Sequence, residues 1–273
     1  MPDELTELVE RAQGGDRQAL EDVLRLISDD VHRLALRMTG CPDDAADATQ
    51  EILVKVLTRL STFRRQAAFT TWVHRVAVNH LVDRKRSAVE RYEMTFGAFA
   101  DDLLDGLTAA PNSSPENDLL AREVKHGCTL AMLVCLHRDE RVAYVLGEVF
   151  GISSRDGAWI CETTEAAYRQ RLSRARTAVR AFVSAHCGLV SPATARCHCR
   201  RRVPIAVQLG RVDPTTVRTT SADIDAAVAE MERLYDSAAL MRSIPDVATP
   251  DEITAHIRTI LASGNDQLLA DQP

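Results

Sequence analysis

Between Gly151 and Phe182 the chain reads GISSRDGAWICETTEAAYRQRLSRARTAVRAF: a short helical segment, a tight joint at Cys161-Glu162-Thr163, and a longer helix opened by Thr163 or Thr164. Few arrangements are open to such a stretch. Two helices joined by so short a turn form a helix-turn-helix, whose second helix is shaped for the major groove of DNA. Advancing about 100° per residue places Tyr168, Leu172, Ala175, Val179 and Phe182 on one apolar stripe, which must face a core. The far side carries Ala166, Arg169, Gln170, Ser173 and Arg174, with Thr164 and Glu165 at its entry and Arg176 beyond. Small residues let a helix approach a groove floor, while Arg and Gln donate to base edges or phosphates. Gly157 and Glu162 depart from the pattern: an apolar residue is expected at the first and glycine is easier at the second. A solvated basic face in a helical bundle is the competing explanation.

The rest of the chain is also helical in pattern. Leu5, Leu8 and Val9, then Leu20, Val23, Leu24, Ile27, Val31 and Leu34, recur at helical spacing on either side of Gly14-Gly15-Asp16. Thr39-Gly40-Cys41-Pro42 stops the second helix, and Asp43 and Asp44 charge the start of a third, with Leu53, Val56, Leu57 and Leu60 on its apolar face. Its other face presents Asp47, Gln50 and Glu51. A loop, STFRRQAAFT, leads to a fourth helix from Thr71 to about Arg86, which turns Trp72, Val73, Val76, Ala77 and Leu81 inward and Arg75, Asn79 and Arg86 outward. Periodicity fades from about Ser87, and TAAPNSSPEND reads as a linker. Further helices are expected at about 119–134, 138–150, 154–161 and 164–184, then at 221–241 and 250–262. Aromatic residues at 4% disfavour a β-sandwich.

Charge is unevenly spread, although the total is only −6. Residues 1–60 hold 7 Lys/Arg against 13 Asp/Glu, residues 155–203 hold 10 against 3, and residues 204–273 hold 5 against 11. A basic block between acidic ones leaves nucleic-acid binding open. The acidic beginning lacks the basic and then apolar pattern of a signal peptide, and no apolar run approaches bilayer length, so a cytoplasmic protein with no membrane partner is expected. Seven cysteines, an odd number of which the first four are scattered and only the last three cluster, suit a reducing compartment better than a disulfide framework.

Gly151 to Arg176 runs without a gap along the form of region 4 in bacterial RNA polymerase sigma factors of the extracytoplasmic-function (ECF, sigma-70-like) group, which the chain resembles. The first part agrees. Asp43-Asp44-Ala45-Ala46-Asp47-Ala48-Thr49-Gln50-Glu51 is similar to that family's acidic helix, which docks on the clamp of core RNA polymerase, and Phe69-Thr70-Thr71-Trp72-Val73-His74-Arg75-Val76-Ala77-Val78-Asn79 is similar to its promoter-melting helix. The resemblance covers roughly residues 5–184.

It implies an all-α protein with a region 2 bundle over 1–88, a linker over 89–118 and a region 4 helix-turn-helix over 119–186; beyond it the residues themselves read as a Cys/Arg-rich segment with a small acidic helical extension over 187–273. It implies a non-enzymatic factor that binds core RNA polymerase through Asp47, Gln50 and Glu51. Arg75, Asn79, Arg84, Lys85 and Arg86 would hold minus-ten DNA, and the loop Ser61 to Thr70 would pocket a flipped base. Thr164, Glu165, Ala166, Arg169, Gln170, Ser173, Arg174 and Arg176 would read the minus-thirty-five element. Trp72 could serve as a stacking platform, but its place on the apolar face favours the core. An ordinary helix-turn-helix regulator is the alternative function; it leaves the acidic and melting helices unexplained. No nucleotide loop, GxSxG or HExxH supports an enzyme.

The tail departs from the family pattern. Cys187, Cys197, His198 and Cys199 lie within fourteen residues of His186, and thiols with imidazole suit Zn²⁺ or Cu(I). No cofactor is required by the family, and thiol redox switching or a plain structural arm explains the same residues. The acidic helices from 221 onward carry the opposite charge to the helix-turn-helix and could pack back on it as an internal inhibitor, or form a small accessory domain that only stabilises the second one. An anti-sigma partner is the other candidate regulator.

Overall fold

The computed structural model describes residues 2–84, 94–107, 114–215, 237–242 and 248–262. Among them regular structure is helical: α1 (Pro2–Gln13), α2 (Arg17–Thr39), α3 (Pro42–Arg59), α4 (Phe69–Asp83), α5 (Phe96–Leu104), α6 (Pro115–Val134), α7 (Arg138–Tyr144), α8 (Ser154–Ile160), α9 (Glu165–His186), α10 (Cys199–Gln208), α11 (Ser237–Arg242) and α12 (Asp251–Ala262). A 3₁₀ turn follows α3 at Leu60–Thr62, and α7 widens into a π turn over Val145–Val149. The chain divides into two units. One holds residues 2–84, 152–169 and 248–262, and the other holds 94–107, 114–151, 170–215 and 237–242.

In the first unit the starts and stops of α2 and α3 follow from local chemistry. Asp16 caps α2 by accepting from the Ala19 amide at 3.1 Å, and Gly40, at φ +69, ends it by donating to the Leu36 carbonyl at 2.9 Å. Pro42 opens α3 with Asp43 and Asp44 in its first turn. The apolar faces predicted from spacing are the ones buried: Leu20, Val23, Leu24, Ile27, Val31 and Leu34 of α2 meet Leu53, Val56 and Leu57 of α3 and Val73, Val76, Ala77 and Leu81 of α4. Gln13 ties the end of α1 to the following loop by donating to the carbonyls of Leu60 at 2.9 Å and Phe63 at 3.2 Å. α12 packs on α2 and α3 through buried Ile253 and Ile257. Its start is fixed by Thr249, whose amide and hydroxyl donate to Asp29 at 2.8 and 3.0 Å. The sequence left this helix two places, against the helix-turn-helix or in a small accessory domain on the second one; its apolar residues complete the first bundle. Most of the other candidate tail helix, 221–241, lies outside the described residues.

In the second unit α5 stands where periodicity had suggested only a linker. Thr95 caps it by accepting from the Ala98 amide at 3.2 Å, and against Phe182 of α9 the Phe96 ring lies tilted at 5.0 Å and the Phe99 ring stacked at 5.4 Å. Nine residues are too few for a helical period to stand out, and the burial is supplied by a partner 83 positions away. α6 starts at Pro115, capped by Ser114. Its other end is closed by the buried Arg141 guanidinium, which donates to the carbonyls of Val134 and Leu136 at 3.0 and 3.1 Å. α10, in a stretch with no predicted helix, packs along α6 through Ala121, Cys199 and Val203. Its Arg202 is 4% exposed and donates to the Asp102 and Asp105 carbonyls at 2.7 Å and to the Asp102 carboxylate at 3.1 Å; Arg211 donates to the same carboxylate at 2.7 and 2.8 Å.

Candidate polymerase and promoter surfaces

The sequence of α9 sorts its residues as the spacing requires. Tyr168, Leu172, Ala175, Val179 and Phe182 are all buried, while Thr164, Glu165, Ala166, Arg169, Gln170, Ser173, Arg174 and Arg176 are all exposed. Thr164 caps the helix, accepting from the Ala167 amide at 3.2 Å. Glu165 and Arg169 form an ion pair one turn apart, and Arg176 pairs with Glu148, donating at 2.6 Å. The two departures noted in the sequence have tertiary explanations. A methyl group on Gly157 would lie 2.2 Å from the Tyr168 ring, so the missing side chain of α8 makes room for the buried tyrosine of α9. Glu162 adopts φ +49, a left-handed conformation that costs a non-glycine residue about 1–2 kcal/mol. Its carboxylate has partners.

Those partners lie on α4. Arg75 donates to Glu162 Oε1 at 3.1 and 2.8 Å and Asn79 donates to the same oxygen at 3.0 Å. Asn79 and Arg75 together hold the Glu162 carboxyl below its ordinary range. The Arg75 guanidinium also sits 4.5 Å from the centre of the Trp159 ring. These groups line a cleft of about 320 Å³ whose wall includes Arg59, Arg64, Phe63 and Trp72. Trp72, expected in the core, is half-buried on that wall, stacked against Phe69 at 5.8 Å and tilted against Phe63 at 5.5 Å. The helical stripe had put its Cα on the inward side; the loop aromatics decide where the ring rests.

On α3, Asp47 and Glu51 are exposed and Gln50 is half-buried. Arg84 lies beside them, 3.9 Å from the carboxylates of Asp44 and Asp47, and donates to the Asp44 carbonyl at 2.6 Å. His80 is buried. Desolvation and the Lys55 ammonium, 2.7 Å from Nδ1, lower its pKa, so neutral His80 accepts at Nδ1 and turns its Nε2 toward Glu51 at 3.3 Å. Lys85 and Arg86 lie outside the described residues.

All seven cysteines are free thiols. Cys187 and Cys197 are joined as a parallel bridge, the Gly188 amide donating to the Cys197 carbonyl at 2.8 Å, and Cys199 is buried under α6. Cys128 stands on α6, the helix against which Cys199 packs, and burial is the main cause of its raised pKa, with the charges that Cys199, Cys187 and Cys197 would carry as thiolates adding to it. Sequence reasoning missed it because it stands 59 positions before Cys187. Its spacing with Ala121 and Lys125 on one face of α6 was the available signal. Burial also pushes Cys197 up to about 11 and Cys199 higher still. His198 packs over Gly188, where an added methyl would meet its ring at 2.4 Å. Among the described residues no three His, Cys, Asp or Glu side chains are grouped to hold a metal ion, and no helix is long and apolar enough to cross a membrane.

A helical bundle with an acidic third helix and a basic and aromatic cleft on its fourth, together with a helix-turn-helix whose second helix exposes a polar face, is the architecture of a DNA-binding transcription factor. Residues 23–91 match the sigma-70 region 2 family. The chain is 32% identical over 189 residues to the ECF RNA polymerase sigma-E factor of Escherichia coli K12, an alignment covering 66% of this chain and 95% of that protein. With the RNA polymerase sigma-H factor of Pseudomonas aeruginosa it shares 30% over 178 residues, 63% of this chain and 90% of that one. A solved structure of CnrH in complex with the cytosolic domain of CnrY aligns at 20% identity and a TM-score of 0.47, covering 65% of this chain and 96% of that chain. The chain belongs to the ECF family of RNA polymerase sigma factors, non-enzymatic initiation factors that bind core RNA polymerase and promoter DNA.

Proposed function

We propose that the work of initiation is divided along this chain as follows. Residues 1–88 dock on core polymerase through Asp47, Gln50 and Glu51 and hold the opened minus-ten strand with Arg75, Asn79, Arg84, Lys85 and Arg86. Residues 119–186 read the minus-thirty-five element through Thr164, Glu165, Ala166, Arg169, Gln170, Ser173, Arg174 and Arg176. The observation that carries the minus-thirty-five part of this reading is the clean separation on α9 of a buried apolar stripe from an exposed polar one. Opening DNA costs roughly 1.4 kcal/mol per base step, so a melting factor must bind the released strand; the cleft beside α4 offers cations for its phosphates and Phe63 and Trp72 for a base.

The test is a pair of double variants in the full chain, assayed for core-polymerase binding and for minus-thirty-five duplex binding. Arg169→Ala with Arg174→Ala should weaken duplex binding and spare polymerase binding, and Asp47→Ala with Glu51→Ala should do the reverse. The same defect from both pairs defeats the division of labour.

For residues 187–273 the proposal is modulation, by metal or redox chemistry at Cys187, Cys197, His198 and Cys199, in a protein that works in the cytoplasm beside its polymerase. The chemistry of the donor set and the approach of a fourth thiol, Cys128, support it. The side chains as placed do not form a coordination shell, so no step of initiation is routed through an ion. An anti-sigma factor is a further proposed partner, supported by membership of the ECF family.

A further inference from the structure

The anion-binding groups of the α4 cleft already hold an anion supplied by the chain itself. Arg75 and Asn79 stand one turn apart on α4, and both converge on a single oxygen of Glu162, at 2.8 and 3.0 Å. That carboxylate comes from the turn between α8 and α9, a position where the backbone is left-handed and glycine would be free of strain. Beside it the Trp159 ring covers the Arg75 guanidinium at 4.5 Å and offers it a π face, as a nucleobase can. A carboxylate with a flanking aromatic ring presents the same chemistry as a nucleotide: an anionic oxygen for a guanidinium and an amide, and a π face for the cation.

We infer that Glu162 and Trp159 form an internal mimic of the minus-ten strand, masking Arg75 and Asn79 in the free chain until single-stranded DNA takes their place. The inference rests on the proposed role of Arg75 and Asn79 in strand binding. All the groups involved belong to one unit of the structure. The mask is built to be displaced: the Glu162 side chain is 53% exposed and that of Arg75 32%, so water and salt weaken their attraction and a phosphate backbone with several charges can compete.

The test measures binding of a fluorescein-labelled single-stranded DNA dodecamer by fluorescence anisotropy, at low and at moderate salt. The full chain is compared with Glu162→Gln, which removes the charge, and Glu162→Gly, which also frees the left-handed turn and guards against a folding defect. Both variants should bind about 2- to 10-fold more tightly, the range for losing one exposed charge-assisted contact. Adding Arg75→Ala to Glu162→Gln should abolish the gain. If neither variant binds more tightly than the unaltered chain, the mask does not exist. A parallel permanganate footprint of the minus-ten region with core polymerase and the Arg75→Ala chain separates the two ideas. Reduced reactivity there with no gain from the Glu162 variants refutes the masking alone, and unchanged reactivity refutes the strand-binding role on which it stands.

Discussion

The same substitution, glycine to alanine, should have opposite effects at two helical positions of this chain. At Gly157 in α8 the new methyl would lie 2.2 Å from Tyr168 Cζ and 2.6 Å from Cε2 and the hydroxyl oxygen. Tyr168 has no exposure, so its ring cannot swing into solvent, and either α8 must back away from α9 or the ring must leave its rotamer. Overpacking of this kind costs about 1–3 kcal/mol, from which about 0.5–1 kcal/mol is recovered because alanine loses less backbone freedom than glycine in a helix. The net expectation is a loss of about 0–2.5 kcal/mol, centred on about 1 kcal/mol, and at that centre a fall in melting temperature of about 2–4 °C for a chain of this size. Gly127, exposed in the middle of α6, has no atom within 4 Å of the place a methyl would take, so Gly127→Ala should gain about 0.5–1 kcal/mol. Calorimetric melting of both variants reads the difference, and the helix-turn-helix should also lose affinity for minus-thirty-five duplex in the first. Combining Gly157→Ala with Tyr168→Leu should recover part of the loss, because the shared space couples the two sites. A Gly157→Ala chain that melts at or above the parent temperature would refute the steric account.

Two further outcomes concern the second unit. The Asp102 carboxyl is held below the usual carboxylate range, chiefly by its hydrogen bond from Arg211 and then by the charges of Arg211 and Arg202, against a desolvation cost. A lowered folded pKa means the stabilisation is present above the ordinary carboxylate pKa and is lost as pH falls through the folded value. Asp102→Asn should therefore destabilise by about 1–2 kcal/mol at neutral pH and by nothing once pH is well below about 4, read by urea melts across pH; equal destabilisation at both would sink the ionic account. For the thiols, the proposed metal or redox modulation of the tail requires that any Zn²⁺ uptake or peroxide sensitivity of the chain be diminished by Cys128→Ser as much as by Cys197→Ser. Full retention of both properties would leave Cys128 as packing only.

The periodic parts of the chain were legible because a helix is a local object: 3.6 residues per turn, Asp16 and Gly40 as stops, and an apolar stripe along α9 can all be read from neighbours in sequence. The same local rule placed Asp47, Glu51 and the polar face of α9 at the surface. It could not find α5, whose nine residues are held by Phe182, nor α10, whose burial depends on α6. Of the ten basic residues counted as one block, Arg171 pairs with Asp139, Arg176 with Glu148, Arg200 with Asp118 and Arg202 with Asp102. Charge totals carry no information about partners. Gly157 and Glu162 looked like departures in the sequence and became explicable only with Tyr168 and Arg75 beside them. The sequence by itself determined which segments coil and which face of each is apolar, because those depend on residues three and four apart. Only the tertiary structure decided that Cys128 joins the tail thiols, that α12 completes the first bundle, and that Glu162 reaches Arg75, because these contacts close loops of 59 residues or more and exist only once many weak local preferences have been packed into one arrangement.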